Sequence, residues 1–276
     1  RFKYDISKLL RYGRSNTLEV TVTKHSSNES VNRAERYGDY WIFGGIFRPV
    51  YLEAMPESHI ERVAIDARAD GSIAADVFLQ NVNNDARVIA QVTLPDGTPV
   101  GTEFNTDVGK NQSVVRLESK ISGIESWNPE NPVLYNVVFS LQSEEETMHE
   151  IKERIGFRTV EVREHDGIYV NGVKVRLKGV NRHSFRPETG RTLNKTNSIE
   201  DVLLMKEMNM NAVRMSHYPP DAHFLDVCDS LGLFVLNELA GWHDAYETEI
   251  GTKLVKEMVI RDVNHPSIII WDNGNE

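Results

Sequence analysis

Asn275 and Glu276 follow a short unbroken apolar run, Ile268-Ile269-Ile270-Trp271, and a polar turn, Asp272-Asn273-Gly274. The apolar run has the pattern of a strand buried on both faces of a parallel sheet. Where such a strand belongs to a (β/α) barrel, polar residues at its C-terminal end point into the active site. A carboxyl group there, Glu276, is a candidate general acid. Taken alone, Asn-Glu reads more simply as the start of a helix, since Glu suits a first turn.

Three earlier runs change that reading. Apolar stretches lead into Asn181-Arg182-His183, into Arg214-Met215-Ser216-His217-Tyr218-Pro219 and into Asn237-Glu238. Four such clusters in succession point to one site at the strand ends. Their content is Asn, Arg, His, Trp and carboxylates, without a Cys/His metal set or a glycine loop for phosphate. His217 and His223 are six apart and share no helical face, which argues against zinc. The inventory suits hydroxyl-rich substrates and acid/base work.

The elements that position these residues alternate. Asn171-Gly172 within Tyr169-Val170-Asn171-Gly172-Val173-Lys174-Val175 predicts a tight hairpin. Strands are then expected over 175–180, 211–215, 233–236 and 268–271. Helices are expected over 198–208, 221–231 and 249–262, the first opening on Asn197 and Glu200 in a capping-box-like pattern. Gly232 is a plausible stop for the second. Repeated βα units imply a parallel sheet with right-handed crossovers, half of an eight-stranded barrel.

The preceding sequence is β-patterned. Over 57–161, Val63, Ile65 and Ala67 alternate, as do Ile73, Ala75, Val77 and Leu79, then Val88, Ala90, Val92 and Leu94, then Val133, Tyr135, Val137 and Phe139. Pro95-Asp96-Gly97 is a turn and Glu144-Glu145-Glu146 a solvated hairpin tip. This is the pattern and size of an immunoglobulin-like sandwich, with no chemistry of its own. Residues 16–22 and 48–53 read as two further strands, the end of a larger β-domain. Between them Asp39-Tyr40-Trp41-Ile42-Phe43-Gly44-Gly45-Ile46-Phe47 could stack a sugar ring, but by residue type the aromatics are expected to fill a core.

Composition excludes other classes. The 276 residues suggest two or three domains, and 40% hydrophobic with 26% charged residues is ordinary for a globular chain. A net charge of −10 argues against nucleic acid and gives no attraction to an anionic membrane. No apolar run approaches the roughly 18 residues of a transmembrane helix. The single cysteine, Cys228, cannot form an intrachain disulfide and reads as a small core residue. No leader is legible at Arg1-Phe2-Lys3, though a cleaved one would leave the same start.

The motifs resemble glycoside hydrolase family 2, which contains β-galactosidases, β-glucuronidases and β-mannosidases. Asp39-Tyr40-Trp41 through Gly44-Gly45-Ile46-Phe47-Arg48 resembles the end of its jelly-roll sugar-binding domain (1–57). Trp127-Asn128-Pro129-Glu130-Asn131-Pro132-Val133-Leu134-Tyr135 and Gly156-Phe157-Arg158 resemble its immunoglobulin-like domain (58–161). Lys178-Gly179-Val180-Asn181-Arg182-His183, Asn211-Ala212-Val213-Arg214-Met215-Ser216-His217-Tyr218-Pro219 and Gly274-Asn275-Glu276 resemble the first half of its TIM barrel (162–276). The resemblance implies a multidomain β plus α/β fold and a retaining exo-β-glycosidase, galactosidase-like, acting on a β-linked oligosaccharide or glycoside.

It implies further that Glu276 is the acid/base, that Asn275 binds the substrate 2-hydroxyl, and that His183, His217 and Asp39 line the sugar subsite. Arg214 and Glu238 would support the catalytic carboxylates. The family nucleophile lies on a later strand, so residues 1–276 alone are expected to be inactive. Magnesium or sodium is open for the parent, as is a homo-oligomer. Here Leu239-Ala240-Gly241-Trp242-His243-Asp244 follows Glu238 in place of the best-known galactosidases' magnesium ligands.

Overall fold

The computed structural model describes residues 2–38, 40–144 and 146–275. Asp39 and Glu276, both assigned to the site from sequence, lie outside the described residues, as do Arg1 and Glu145.

The alternation in the second part is realised as a sandwich. Strands β1 (His59–Ala67), β2 (Ser72–Gln80) and β5 (Val114–Lys120) form one antiparallel sheet in the order β1-β2-β5. Strands β3 (Ala86–Thr93), β4 (Phe104–Val108), β6 (Tyr135–Ser143) and β7 (Glu146–Ile155) form the other, in the order β4-β3-β6-β7. Val63, Ile65, Ile73, Ala75, Val77, Val88, Ala90, Val137 and Phe139 fill the space between them in one core. Period-two side chains put every second residue there, which is why the pattern was readable.

A small antiparallel sheet follows, β8 (Val160–Arg163), β9 (Gly167–Val170) and β10 (Val173–Lys174) in the order β10-β9-β8. The hairpin forms as expected: Val170 pairs with Val173, and Asn171 and Gly172 sit at φ 52° and 77°, the left-handed values a type I′ turn requires.

The parallel sheet is β11 (Gly179–Arg182), β12 (Ala212–Met215), β13 (Phe234–Glu238) and β14 (Ile268–Asp272), in sequence order. Helices α2 (Lys195–Glu207), α3 (Ala222–Leu231) and α4 (Thr248–Asp262) connect the strands. Val202, Phe224, Leu225 and Cys228 from α2 and α3 pack on Val213, Met215 and Val235 of the strands. Cys228 is fully buried, as expected. Helix α2 starts three residues before the expected point: Asn194, not Asn197, is its cap, and the two asparagine side chains close the capping box on each other's backbone. Gly232 ends α3 at φ 79°, where a Cβ would lie 2.2 Å from the Pro129 carbonyl oxygen of the sandwich. The first barrel strand begins at Gly179, later than the expected 175.

The first part departs most from expectation. Neither strand expected over 16–22 and 48–53 forms; the backbone there carries no ladder, and Leu18, Val20, Val22, Val50, Tyr51 and Leu52 are exposed. A strand is stable only where neighbouring strands satisfy its N–H and C=O groups and cover one face. The described residues before β1 supply none. A helix that the apolar pattern did not reveal, α1 (Glu29–Arg36), forms instead, capped by the Asn28 side chain accepting from Val31 N. This segment lies against the strand-end loops. Arg48 pairs with Asp221 at 3.1 Å, and the Tyr246 hydroxyl donates to Glu35.

Candidate active site

Glu238 is the last residue of β13 and is wholly buried. Its Oε1 lies 2.7 Å from His217 Nδ1 and its Oε2 2.6 Å from an Arg214 Nη2. The second contact is an ion pair rather than an aligned hydrogen bond, since Oε2 has no hydrogen-bond partner. The same Nη2 donates to Asn275 Oδ1 at 3.0 Å, and Arg214 Nε lies 3.6 Å from Asp272. One guanidinium on β12 therefore joins the ends of β13 and β14. Asn275 is also held through its backbone, donating to Gly241 O at 3.1 Å and accepting from His243 N at 3.3 Å.

Electrostatics follow from burial. Loss of water pushes the Glu238 carboxyl up to about 7; Arg214 opposes this and the Asp272 carboxylate adds to it. Burial lowers His217 to about 4, helped by Arg214 and His183. His183 is lowered as well, by burial first and then by Arg191 and Arg182. Both imidazoles are thus neutral near pH 7. They are suited to exchanging hydrogen bonds with hydroxyls rather than carrying charge.

Aromatic rings enclose these groups. His183 and His217 lie 5.4 Å apart between centroids, and Trp242 stands edge-on to His217 at 4.7 Å. Tyr40, from the segment before the sandwich, lies 5.3 Å from His183 and 6.1 Å from His217. The Tyr218 hydroxyl is 3.4 Å from His183 Nδ1. Trp41 is 68% exposed and stacks on Phe185 at 4.9 Å. The expectation that the 39–47 aromatics fill a core is corrected: they lie along the loops of the barrel because Phe185, His183 and Tyr218 offer the matching rings.

The structure brings together His183, His217, Arg214, Glu238 and Asn275. It sends the strand-end residues Arg182 and Asn237, and His223 of α3, elsewhere. Arg182 bonds Asp201 at 2.8 Å, Asn237 bonds Asp262 at 2.7 Å and His223 meets Ser198 at 2.8 Å, all helix-to-strand or helix-to-helix ties. Neighbours along a strand face opposite ways, so only one of each pair can reach the site. Tyr40, Tyr218 and Trp242 were not singled out from sequence. An aromatic next to each polar strand end was the available signal.

Glu238 and the residue that follows it offer no free metal ligand. Both Glu238 oxygens are engaged, and Leu239 beside it is apolar and buried. Among the described residues, the His/Asp/Glu group with ligand spacing is Asp226, Asp229 and His265, between α3 and the loop before β14. Arg154 sits 3.0 Å from Asp226 and 3.9 Å from Asp229 there, so a guanidinium already supplies the positive charge.

A parallel βα sheet with carboxyl, imidazole, guanidinium and carboxamide groups gathered at its strand ends, behind an antiparallel sandwich, defines the class: a (β/α) barrel protein with a polar site at the barrel mouth. Residues 160–276 match the family model described as glycosyl hydrolases family 2, TIM barrel domain, and 58–158 match that of glycosyl hydrolases family 2. The chain belongs to glycoside hydrolase family 2. It is 32% identical over 98% of its length to a β-galactosidase of Thermoanaerobacter pseudethanolicus, covering 37% of that protein. It is 30% identical over its full length to a putative β-glucuronidase of Formosa agariphila, covering 34% of it. A solved β-glycosidase from Bacteroides vulgatus superposes with TM-score 0.75 at 27% identity, over 86% of this chain and 32% of that one. The chain thus spans about a third of the length of these relatives.

Proposed function

We propose that this chain is part of a retaining exo-β-glycosidase, galactosidase-like, that hydrolyses β-linked O-glycosides. In this reading 1–57 closes a jelly-roll sugar-binding domain, 58–161 is an immunoglobulin-like spacer and 162–276 is the first half of the catalytic barrel. Glu276 is the general acid/base, following directly on Asn275. The observation that carries the reading is the buried Arg214–Glu238–His217 network with Asn275 tied to it. Such a network fixes the side chains that meet a sugar before the sugar arrives.

Asn275 and the neutral imidazoles of His183 and His217 hold hydroxyls, and the motif that carries Asp39 assigns it to the same subsite. Glu276 gives its proton to the departing oxygen and later takes one from water. The nucleophile is expected on a later strand of the longer protein, because a retaining hydrolase needs two carboxyls roughly 5–5.5 Å apart. Glu238 is ill suited to attack: it is buried and both its oxygens are engaged.

The test is a panel of nitrophenyl glycosides with the full-length protein. Fastest turnover of the β-galactoside supports the reading; preference for a β-glucuronide or β-mannoside moves it within the family. No turnover of any glycoside, with sugar still bound, marks a carbohydrate-binding protein. Glu276→Gln should slow alkyl glycosides by roughly 10²–10⁴ and activated aryl glycosides less, since a general acid matters most for poor leaving groups. Equal loss on both would remove Glu276 from that role.

A further inference from the structure

Tyr218 separates the histidine cluster from a second cavity, of about 220 Å³. The cavity's walls come from distant parts of the chain. Arg36 ends α1, Phe47 and Arg48 precede the sandwich, and Arg191 lies in the loop after β11. We propose that this cavity is a binding site for a compact oxyanion, either the acidic substituent of a glycan or a free ion of the same chemistry.

Among the described residues, three guanidiniums converge here against two carboxylates. Arg48 is accounted for: its Nε pairs with Asp221 at 3.1 Å and its Nη2 donates to the Pro219 carbonyl at 2.6 Å. The other carboxylate, Glu35, accepts from the Tyr246 hydroxyl at 3.0 Å. Arg36 and Arg191 each keep a buried Nε–H without an acceptor, and no ion pair joins either to a carboxylate among the described residues. A buried, unpartnered donor on a charged group is costly, so such groups normally find a partner.

The placement of Arg191 is built rather than incidental. Its guanidinium lies 3.7 Å from the Tyr218 ring and 4.3 Å from the Phe47 ring. Contact with two π faces holds a cation in place without consuming its hydrogen bonds. Burial lowers Arg191 against the pull of Tyr218, Tyr40 and Asp221, and the Arg36 charge adds a smaller lowering; burial lowers Arg48 against Asp221, with Arg261 and Arg191 adding to it. Like charges held this close repel one another. In a protein of net charge −10 such a gathering does not follow from overall composition. An oxyanion in the cavity would offset this positive charge through charge-assisted contacts with the guanidiniums that line it.

Two families of ligand offer that chemistry: a glycan carrying a carboxylate or sulfate, whose ring would reach past Tyr218, and free sulfate or phosphate. Isothermal titration calorimetry on the full-length protein separates them, using glucuronate, inorganic phosphate and sulfate, with galactose as the neutral control. An anion should bind, and Arg191→Gln and Arg36→Gln should each weaken it roughly tenfold, the loss of one charge-assisted bond. Glucuronate binding that sulfate displaces assigns the site to an acidic glycan; binding of the inorganic ions alone assigns it to a free oxyanion. Arg36→Gln, at a helix end and with no ring contact, keeps the test sound if Arg191→Gln fails to fold. No binding by any anion, or binding unmoved by both substitutions, overturns the site. None of these measurements needs turnover, so an inactive enzyme would count against the proposed catalysis and not against this cavity.

Discussion

Glu238 and His217 share a hydrogen bond, yet burial acts on them in opposite directions. Glu238 rises from 4.5 to about 7 and His217 falls from 6.5 to about 4. A raised carboxyl contributes stability below 4.5 that is lost as pH climbs through 7. A lowered imidazole contributes stability above 6.5 that is lost as pH falls through 4. The two windows nearly coincide and their slopes oppose, so together they leave stability flat across them. Removing one partner should expose the other. His217→Gln should make the protein lose about 3 kcal/mol as pH rises from 4.5 to 7, at about 1.4 kcal/mol per pH unit. Glu238→Gln should give the mirror slope, gaining stability from pH 4 to 6.5. Urea unfolding over a pH series reads both; flat profiles in both variants would sink the account. Of these residues, His183, His217, Arg214, Glu238 and Asn275 were picked out in the sequence because each lies within a few residues of the end of an apolar run. Tyr40 was noted within an aromatic stretch that was expected to fill a core, and Trp242 lies in a loop, so no local period marks either as a site residue.

The elements were legible where paired strands cover their apolar faces. The alternation of β1, β2, β3 and β6 translated directly into buried and exposed faces. The stretches 16–22 and 48–53 carry the same alternation without forming strands, and no ladder pairs them among the described residues. Helix starts show a subtler limit. Asn197 and Glu200 matched a capping pattern, but Asn194 with Asn197 satisfies two orphan N–H groups and wins. Asn194→Ala should therefore cost about 1 kcal/mol, the usual loss of an N-cap. Glu200→Ala should cost little, since its Arg186 contact is 3.5 Å long and exposed. Thermal unfolding of the two variants decides the start of α2. Equal losses would return the cap to Asn197.

How the sandwich docks on the barrel was not legible, because the joining residues are scattered through the sequence. Arg158, after the last sandwich strand, donates to the carbonyls of Pro266 at 2.6 Å and Ile268 at 3.0 Å, fixing the entry to β14. Asn264 accepts from Ile65 N and donates to Val63 O, and Trp127 Nε1 donates to Asp229 O at 2.8 Å. Beside them His265 Nδ1 lies 2.6 Å from Asp229 Oδ2, while Asp229 Oδ1 accepts from Ser267 N. The strand that carries Asn275 is thus anchored from the sandwich side, so the spacer helps hold the site in register. Burial pulls His265 down, but the bond and charge of Asp229, with Asp262 and Asp226, outweigh it and leave His265 raised above 6.5. A raised imidazole contributes stability that is whole below 6.5 and lost as pH rises through its folded value. The docked state should therefore weaken on the alkaline side. Arg154, near both Asp226 and Asp229, Arg158, which feels Asp229, and Glu153, bonded to Asn264, are charged groups of the sandwich at this contact. Glu153, raised by burial, begins to lose its own contribution from 4.5 upward, before the histidine's range is reached. His265→Gln should flatten that alkaline slope and lower stability most at acid pH, where the protonated imidazole contributes fully. Urea unfolding of the full-length protein and the variant between pH 6 and 9 measures the difference. An alkaline slope that survives the substitution would place the pH response outside this contact.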